Sequence, residues 1–129
     1  MAEVDSRVDT DFLQAFADAW NHHDLDELMG FMADECVFEL SVGPNRWGTR
    51  HEGRDQVRAG FAAVLKTFPD GRWDDASHFI AGDRGVSEWV FTATGQDGSA
   101  IEVNGCDLFT FSDGKIAVKN SFRKVRTAS

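Results

Sequence analysis

The sequence predicts an α+β domain in which helices cover one face of a curved, mainly antiparallel sheet. Apolar residues recur at helical spacing in the first half of the chain. From Arg72 onward, β-branched and aromatic residues alternate between closely spaced turn signals. Runs of helix followed by runs of strand are typical of α+β domains, and a chain of 129 residues fits one domain, 1–129.

The first two helices are predicted close together in the chain. Ser6 and Asp9 are candidate caps for the first helix, and Asp24-Leu-Asp-Glu27 has the form of a capping box for the second. The second helix is expected to be short and to end near Ala33. The apolar faces consist of Phe12, Leu13, Phe16, Ala17 and Trp20 in the first helix, and of Leu25, Leu28, Met29 and Met32 in the second.

The third helix is predicted to follow Gly53. Because Pro69 disfavours helical backbone at the residue before it, the helix is expected to end at Phe68. It is expected to be second in length to the first helix. Its apolar stripe runs through Val57, Phe61, Val64, Leu65 and Phe68.

Six strands are predicted, and turn signals separate the last four into an antiparallel meander. Gly82-Asp-Arg-Gly85, Gln96-Asp-Gly-Ser99 and Ser112-Asp-Gly-Lys115 supply residues suited to hairpin turns. An earlier strand is expected to pair with its successor across a Gly43-Pro-Asn loop. The predicted strands are Cys36 to Val42, Arg46 to Glu52, Arg72 to Ala81, Arg84 to Gln96, Ser99 to Phe111 and Lys115 to Val125.

Each of two neighbouring strands has one polar residue on an otherwise apolar face. Period-two alternation places Asp107 among Ile101, Val103, Gly105, Phe109 and Phe111. The same alternation groups Asn120 with Ile116, Val118 and Phe122 on the following strand. Carboxylates are seldom buried without a partner, so this face predicts an apolar pocket with a few placed polar groups.

Charge and composition exclude several classes of partner. The formal net charge of −9 disfavours binding to nucleic acid or to an anionic membrane surface, because both would repel the protein. No window approaches the length of an apolar membrane span, and the first residues lack a basic region followed by an apolar stretch. A cytoplasmic protein is therefore expected.

Metal and cofactor chemistry are not indicated by the sequence. The four histidines show no His-x-Glu-x-x-His spacing, and the cysteines, Cys36 and Cys106, lie in apolar strand patterns. Neither a glycine-rich phosphate loop nor a Ser-His-Asp arrangement is traceable. No metal site and no cofactor are predicted.

Several stretches resemble the nuclear transport factor 2-like superfamily, especially its SnoaL-like and ketosteroid isomerase-like branch. They are Ala15 to Leu28, Phe31 to Glu39, Gly53 to Arg58, and Asp107-Leu-Phe-Thr-Phe-Ser-Asp-Gly-Lys-Ile116. The resemblance implies a cone-shaped fold whose curved sheet wraps around a long helix, with two further N-terminal helices. Activities in this superfamily range from isomerases, polyketide cyclases, dehydratases and epoxide hydrolases to proteins without known catalysis, so the fold fixes no reaction.

The resemblance implies two candidate catalytic residues, Glu39 and Asp107. Ketosteroid isomerases have a general-base Asp at the position that resembles Glu39, and an oxyanion-binding Asp in the strand motif that contains Asp107. Their oxyanion-hole Tyr matches Phe16, which has no hydroxyl group. If the two side chains converge on one apolar cavity, Asp107 would stay protonated and donate a hydrogen bond, whereas Glu39, if nearer the mouth, would stay ionised and accept a proton.

A structural role for both acids is the alternative that the sequence leaves open. In that interpretation Asp107 anchors a backbone or Trp N–H, and Glu39 forms an ion pair with Arg46 or Arg50.

The leading functional hypothesis is binding of a small, mostly apolar organic molecule, with or without cofactor-independent proton transfer. An enzyme of this kind would resemble an isomerase, cyclase, dehydratase or hydrolase; the alternatives are a non-catalytic binding module and a dimeric interaction module. A homodimer is expected through the sheet face of Cys106, Leu108 and Thr110. The predicted pocket residues are Phe16, Trp20, Trp47, Trp89, Val103, Phe109, Asn120 and Phe122.

Overall fold

Three helices occupy the first half of the chain in the computed structural model, which describes residues 7–127: α1 (Thr10–His22), α2 (Leu25–Met29) and α3 (Arg54–Thr67). Helix α1 begins after Asp9, whose carboxylate accepts a hydrogen bond of 2.9 Å from the backbone N–H of Phe12. The other candidate cap, Ser6, lies outside the described residues. Asp24 caps α2 in the same way through the N–H of Glu27.

Two expectations about the helices were wrong. Helix α2 ends at Met29 and not near Ala33, because Met32 already belongs to a strand in which Met32, Cys36 and Phe38 face the core. Helix α3 has 14 residues and α1 has 13, so α3 is the longest of the three.

Six strands form one sheet in the order β2-β1-β6-β5-β4-β3. The last four strands are the predicted antiparallel meander, and Asp113 and Gly114 adopt the positive φ angles that a tight hairpin turn requires. Strand β1 pairs parallel to β6 and antiparallel to the short β2. The strands are β1 (Met32–Glu39), β2 (Arg50–Glu52), β3 (Arg72–Ala81), β4 (Arg84–Thr94), β5 (Ala100–Ser112) and β6 (Lys115–Arg123).

Strand β2 is shorter than the sequence suggests. The predicted first part of this strand, from Arg46 to Thr49, lies in a loop that an isolated bridge between Asn45 and Gly48 closes, and β2 begins at Arg50. Strand β6 ends at Arg123 and not at Val125.

The core lies between the helices and the inner face of the sheet. The largest fully buried side chains include Leu13 of α1, Phe61 of α3, Phe91 of β4 and Phe109 of β5. Burial of aromatic and aliphatic surface is the main source of stability for such a layered arrangement. The structure therefore confirms the predicted α+β class, with three helices and a mixed, mostly antiparallel sheet.

Candidate functional site

A cavity of about 270 Å³ lies between α3 and the inner face of the sheet. Its walls are mainly aromatic, and its charged groups come from one strand, β6. No carboxylate lines the cavity among residues 7–127. An apolar space with a few placed polar groups is typical of a small-molecule site. The aromatic residues that line it are Trp20, Phe38, Phe68, Trp73 and Trp89, and the β6 residues are Lys119, Ser121 and Arg123.

A bulge in β6 determines which of its side chains face the cavity. Phe111 pairs with Ile116, but the preceding residue Thr110 pairs with Val118, so Ala117 is an extra residue in the ladder. An extra residue reverses the alternation of every side chain that follows it. Asp107 consequently pairs with Ser121, and the inward positions are Lys119, Ser121 and Arg123.

The prediction that Asn120 and Phe122 face the pocket was therefore wrong. Their register partners are Leu108 and Cys106, which lie on the outer face of the sheet. Phe122 is 49% exposed there. The uniform alternation assumed for this strand ends at the bulge.

Asp107 is buried, with 5% of its surface exposed, and accepts hydrogen bonds from three side chains. The indole Nε1–H of Trp89 donates to Oδ2 at 3.1 Å, and Lys119 Nζ and Ser121 Oγ donate to Oδ1 at 3.0 and 2.6 Å. These are the contacts of an ionised carboxylate, which has acceptors and no donor. They do not fit the sequence-based hypothesis of a protonated Asp107 that donates a hydrogen bond.

Lys119 is the cation that compensates Asp107, and the sequence analysis missed it. Its Nζ also donates to Ser121 Oγ at 2.7 Å and lies 5.0 and 4.8 Å from the ring centroids of Trp20 and Phe38. Burial lowers the pKa of the Lys119 ammonium from its ordinary value, and the attraction of Asp107 opposes that shift. The sequence did contain an indication of this contact, because a buried Asp107 requires a nearby cation and Lys119 is on the adjacent strand.

Glu39 does not reach the cavity. It pairs with Asn120 across β1 and β6, and therefore shares the outer face, while its neighbour Phe38 pairs with Lys119 on the inner face. The Glu39 carboxylate accepts from Arg50 Nε at 2.8 Å and contacts Arg50 Nη2 at 2.7 Å. The expectation that Glu39 and Asp107 converge on one hollow was wrong, because the sheet separates them.

Trp47 covers the Glu39 ion pair instead of lining the cavity. The Arg50 guanidinium lies 4.5 Å from the centroid of the Trp47 ring, and Arg46 lies 5.2 Å from it. Of the two arginines considered as partners for Glu39, the structure selects Arg50.

The other predicted pocket residues divide into two groups. Trp20 and Trp89 line the cavity, whereas Phe16 and Phe109 belong to the core and border a gap of only about 10 Å³ beside Asp107. Val103 packs against a separate small cluster around Phe91. The use of any of these residues in ligand binding stays a prediction.

Trp89 packs directly against Gly105, which leaves room for the indole because glycine has no side chain. A Cβ atom at residue 105 would collide with the six-membered ring of Trp89 and lie 2.6 Å from the carbonyl oxygen of Phe122. The Trp89 indole therefore lies against Gly105, with its N–H aimed at Asp107. Trp20, which faces the same cavity, has a buried indole N–H with no acceptor among the described residues.

Within residues 7–127, no three His, Cys, Asp or Glu side chains form a group that could hold a metal ion. None of the helices in this range is long and apolar enough to cross a membrane.

The three helices and the mixed six-strand sheet define an NTF2-like protein, whose fold is also that of ketosteroid isomerase-like structures. The SnoaL-like domain model matches residues 13–119, and the chain belongs to that family. An NTF2-like protein of unknown function from Mesorhizobium loti is 32% identical over 90% of each chain, with a TM-score of 0.73.

Two further solved structures share the fold at lower identity. A proposed polyketide cyclase from Xanthomonas campestris is 21% identical over 89% of each chain, with a TM-score of 0.76. A protein with a ketosteroid isomerase-like fold from Catenulispora acidiphila, in complex with trimethylamine, is 16% identical over 89% of this chain and 86% of that one, also with a TM-score of 0.76. No curated protein sequence matches the chain significantly.

Proposed function

We propose that the protein binds a small, mostly apolar organic molecule in the cavity between α3 and the sheet. The observation that supports this most directly is the cavity itself, of about 270 Å³, with a wall of aromatic side chains. Its charged groups, Lys119 and Arg123, both lie on β6, so a ligand with a polar end would bind with that end toward this strand.

Calorimetric titration with naphthamide, a neutral bicyclic aromatic amide, tests this proposal. Ala63 lies on α3 and lines the cavity at its solvent-exposed mouth, so Ala63→Trp should block entry and weaken binding. Ala59→Trp is the matched control, because Ala59 is exposed on the same helix and does not line the cavity. Equal affinity in both variants, or no binding to the wild type, would contradict the proposal.

Proton transfer in the cavity is a second candidate function, favoured by the Lys119–Asp107 pair. An ammonium group has three N–H donors, and two of them are bonded to Asp107 and Ser121. The third has no acceptor among the described residues. A hydrogen bond from it to a ketone oxygen would stabilise the enolate that forms when water removes a neighbouring proton. In this scheme the residue that acts together with Asp107 is Lys119 and not Glu39.

Exchange of the α-protons of tetralone in deuterated water, followed by NMR, tests this candidate function. The wild type should accelerate exchange, and Lys119→Met should abolish the acceleration. Lys66→Met, at an exposed position of α3, is the control. Because Lys119→Met leaves Asp107 without its cation, the double variant Asp107→Asn, Lys119→Met should also be inactive while folding more stably. Acceleration that survives in a folded Lys119 variant would exclude the role.

We also propose a homodimer through the outer face of the sheet. Phe79, Val86 and Leu108 are register partners across three strands of that face, and Phe79 is 54% exposed. A two-fold axis near Val86 would place Arg84 of each copy opposite Glu88 of the other, which suits an isologous interface. Light scattering should give twice the monomer mass, and Phe79→Glu should give a monomer. A wild type that is monomeric at all concentrations would refute the dimer.

A further inference from the structure

Arg123, at the edge of the cavity, is a half-buried cation without a polar partner. Its guanidinium carbon lies 4.6 Å from the ring centroid of Phe91 and 5.4 Å from that of Phe68. No oxygen atom of residues 7–127 accepts a hydrogen bond from it or forms an ion pair with it. Burial lowers the pKa of the Arg123 guanidinium from its ordinary value.

Other arginines of the chain show that this situation is unusual. Six of them donate to carboxylate or carbonyl oxygens: Arg50, Arg54, Arg58, Arg72, Arg84 and Arg126. Arg46 also lies over an aromatic ring and has no hydrogen-bond acceptor within the described part of the chain, but Arg46 is exposed to solvent. Arg123 thus combines desolvation with unused hydrogen-bond donors, which is costly for a charged group.

The cavity has an excess of positive charge although the protein is strongly acidic. Asp107 is bonded to Lys119, and no carboxylate of residues 7–127 lines the space to compensate Arg123. The charge of Arg123 contributes to lowering the pKa of Lys119, so the two cations are close enough to repel each other. An anion bound near them would relieve this repulsion. By contrast, the formal net charge of the whole chain is −9.

We propose that the ligand of this cavity is an organic carboxylate, whose anionic group is held by Arg123 while its apolar body lies against the aromatic walls. This inference rests on the proposed binding function and adds the charge of the ligand to it. A guanidinium group presents a planar fork of N–H donors that matches the two oxygens of a carboxylate. Stacking over Phe91 and Phe68 holds that fork in place before the ligand arrives, which limits the entropy lost on binding.

Comparison of naphthoate with naphthamide by isothermal titration calorimetry tests the inference, since the two probes differ chiefly in charge. The wild type should bind naphthoate at least about tenfold more tightly than naphthamide. Arg123→Gln should abolish this preference, because it removes the charge that distinguishes the two probes. Arg123→Lys should retain part of the preference, because it keeps the charge and loses the fork. Arg46→Gln is the matched control and should retain all of it.

Each possible result has one interpretation. If naphthamide and naphthoate bind the wild type equally, the cavity binds organic molecules but the inferred charge of the ligand is wrong. If the preference persists in Arg123→Gln, Arg123 is not the anion-binding residue. If neither probe binds the wild type, the proposed binding function itself fails. The first comparison uses the wild type alone, so it stands even if an Arg123 variant folds poorly.

Discussion

Asp107 and Glu39 are both buried acids in β-strands, and each forms an ion pair with a cation, but they lie on opposite faces of the sheet. Asp107 faces inward and is held by Lys119, whose side chain is 6% exposed. Glu39 faces outward and is held by Arg50, whose side chain is 38% exposed. Lys119 of the first pair lines an aromatic cavity, and the second pair is covered by Trp47 of a surface loop.

The difference shows that burial of a carboxylate does not by itself identify a functional site. Lys119 of the Asp107–Lys119 pair lines the apolar cavity, where a ligand would feel its field in a low dielectric. The Glu39–Arg50 pair borders solvent and Trp47, where water screens the charges. The predictions that follow exploit this contrast.

Asp107→Asn is expected to have the largest effect on the free energy of unfolding. The substitution leaves the Lys119 ammonium buried without its counter-charge, and the loss of one partner of a buried pair costs about 3–5 kcal/mol. Denaturation in urea measures the change. The double variant Asp107→Asn, Lys119→Met removes both charges and should recover part of the stability. A loss below about 1 kcal/mol in the single variant would mean that the pair is effectively solvated.

Gly105→Ala is expected to destabilise the same face by overpacking. The new methyl group would displace the Trp89 indole from Asp107, at a cost of about 1–3 kcal/mol. Urea denaturation and tryptophan fluorescence measure the two consequences. Gly95→Ala is the control, because the nearest atom to its Cβ is the side-chain oxygen of Asp97 at 3.1 Å in an exposed hairpin. Equal effects of the two substitutions would argue against a specific role for Gly105.

Glu39→Gln is expected to have a smaller effect, of at most about 1 kcal/mol, because its partner Arg50 is substantially exposed. High salt should reduce the difference between variant and wild type. Naphthamide affinity should not change, since Glu39 is on the face away from the cavity. A loss of ligand binding in Glu39→Gln, with the fold intact, would show that the two faces are coupled.

The last prediction concerns His78 of β3. His78 pairs with Ser87 of β4, which in turn pairs with Asp107 of β5. His78 Nδ1 contacts Ser87 Oγ at 2.7 Å and Nε2 contacts Gln14 Oε1 at 2.8 Å, so Ser87 donates to a neutral ring whose Nε2–H donates to Gln14. Burial lowers the pKa of His78 below its ordinary value of 6.5, although Asp18 opposes this shift.

Because the unfolded chain takes up a proton at His78 before the folded chain does, the free energy of unfolding should fall as the pH drops below about 6.5. His78→Gln should be less sensitive to pH over that interval. Urea midpoints measured from about pH 7 to about pH 5 check the difference. Identical pH dependence in the variant and the wild type would contradict it.

Local patterns were sufficient to predict most of the fold. The spacing of Leu13, Phe16 and Trp20 identified the buried face of α1, and Asp113-Gly114 located the last hairpin. Asp107 was correctly expected to face inward among apolar neighbours, because the alternation along β5 is unbroken up to that residue.

The candidate site was harder to predict because two of its determinants are not periodic. The bulge at Ala117 exchanges the faces of Lys119 and Asn120, and nothing in the sequence of β6 announces it. The face of Glu39 depends on a second register shift, between Met32 and Val37 of β1, after which Glu39 pairs with Asn120. Alternation predicts which side chains lie on the same face of a strand. A bulge determines whether that face points toward the core or toward solvent.

The pairing of Phe38 with Lys119 joins β1 to β6 and thereby the early and late parts of the chain. Contacts between residues so far apart in sequence require closure of a long loop and are slow to form, whereas the β4–β5–β6 hairpins that bring Trp89, Asp107 and Ser121 together are local. The enclosed space is thus expected to be completed late on the folding pathway. A bound molecule would then lengthen the lifetime of the native state and leave the folding rate nearly unchanged.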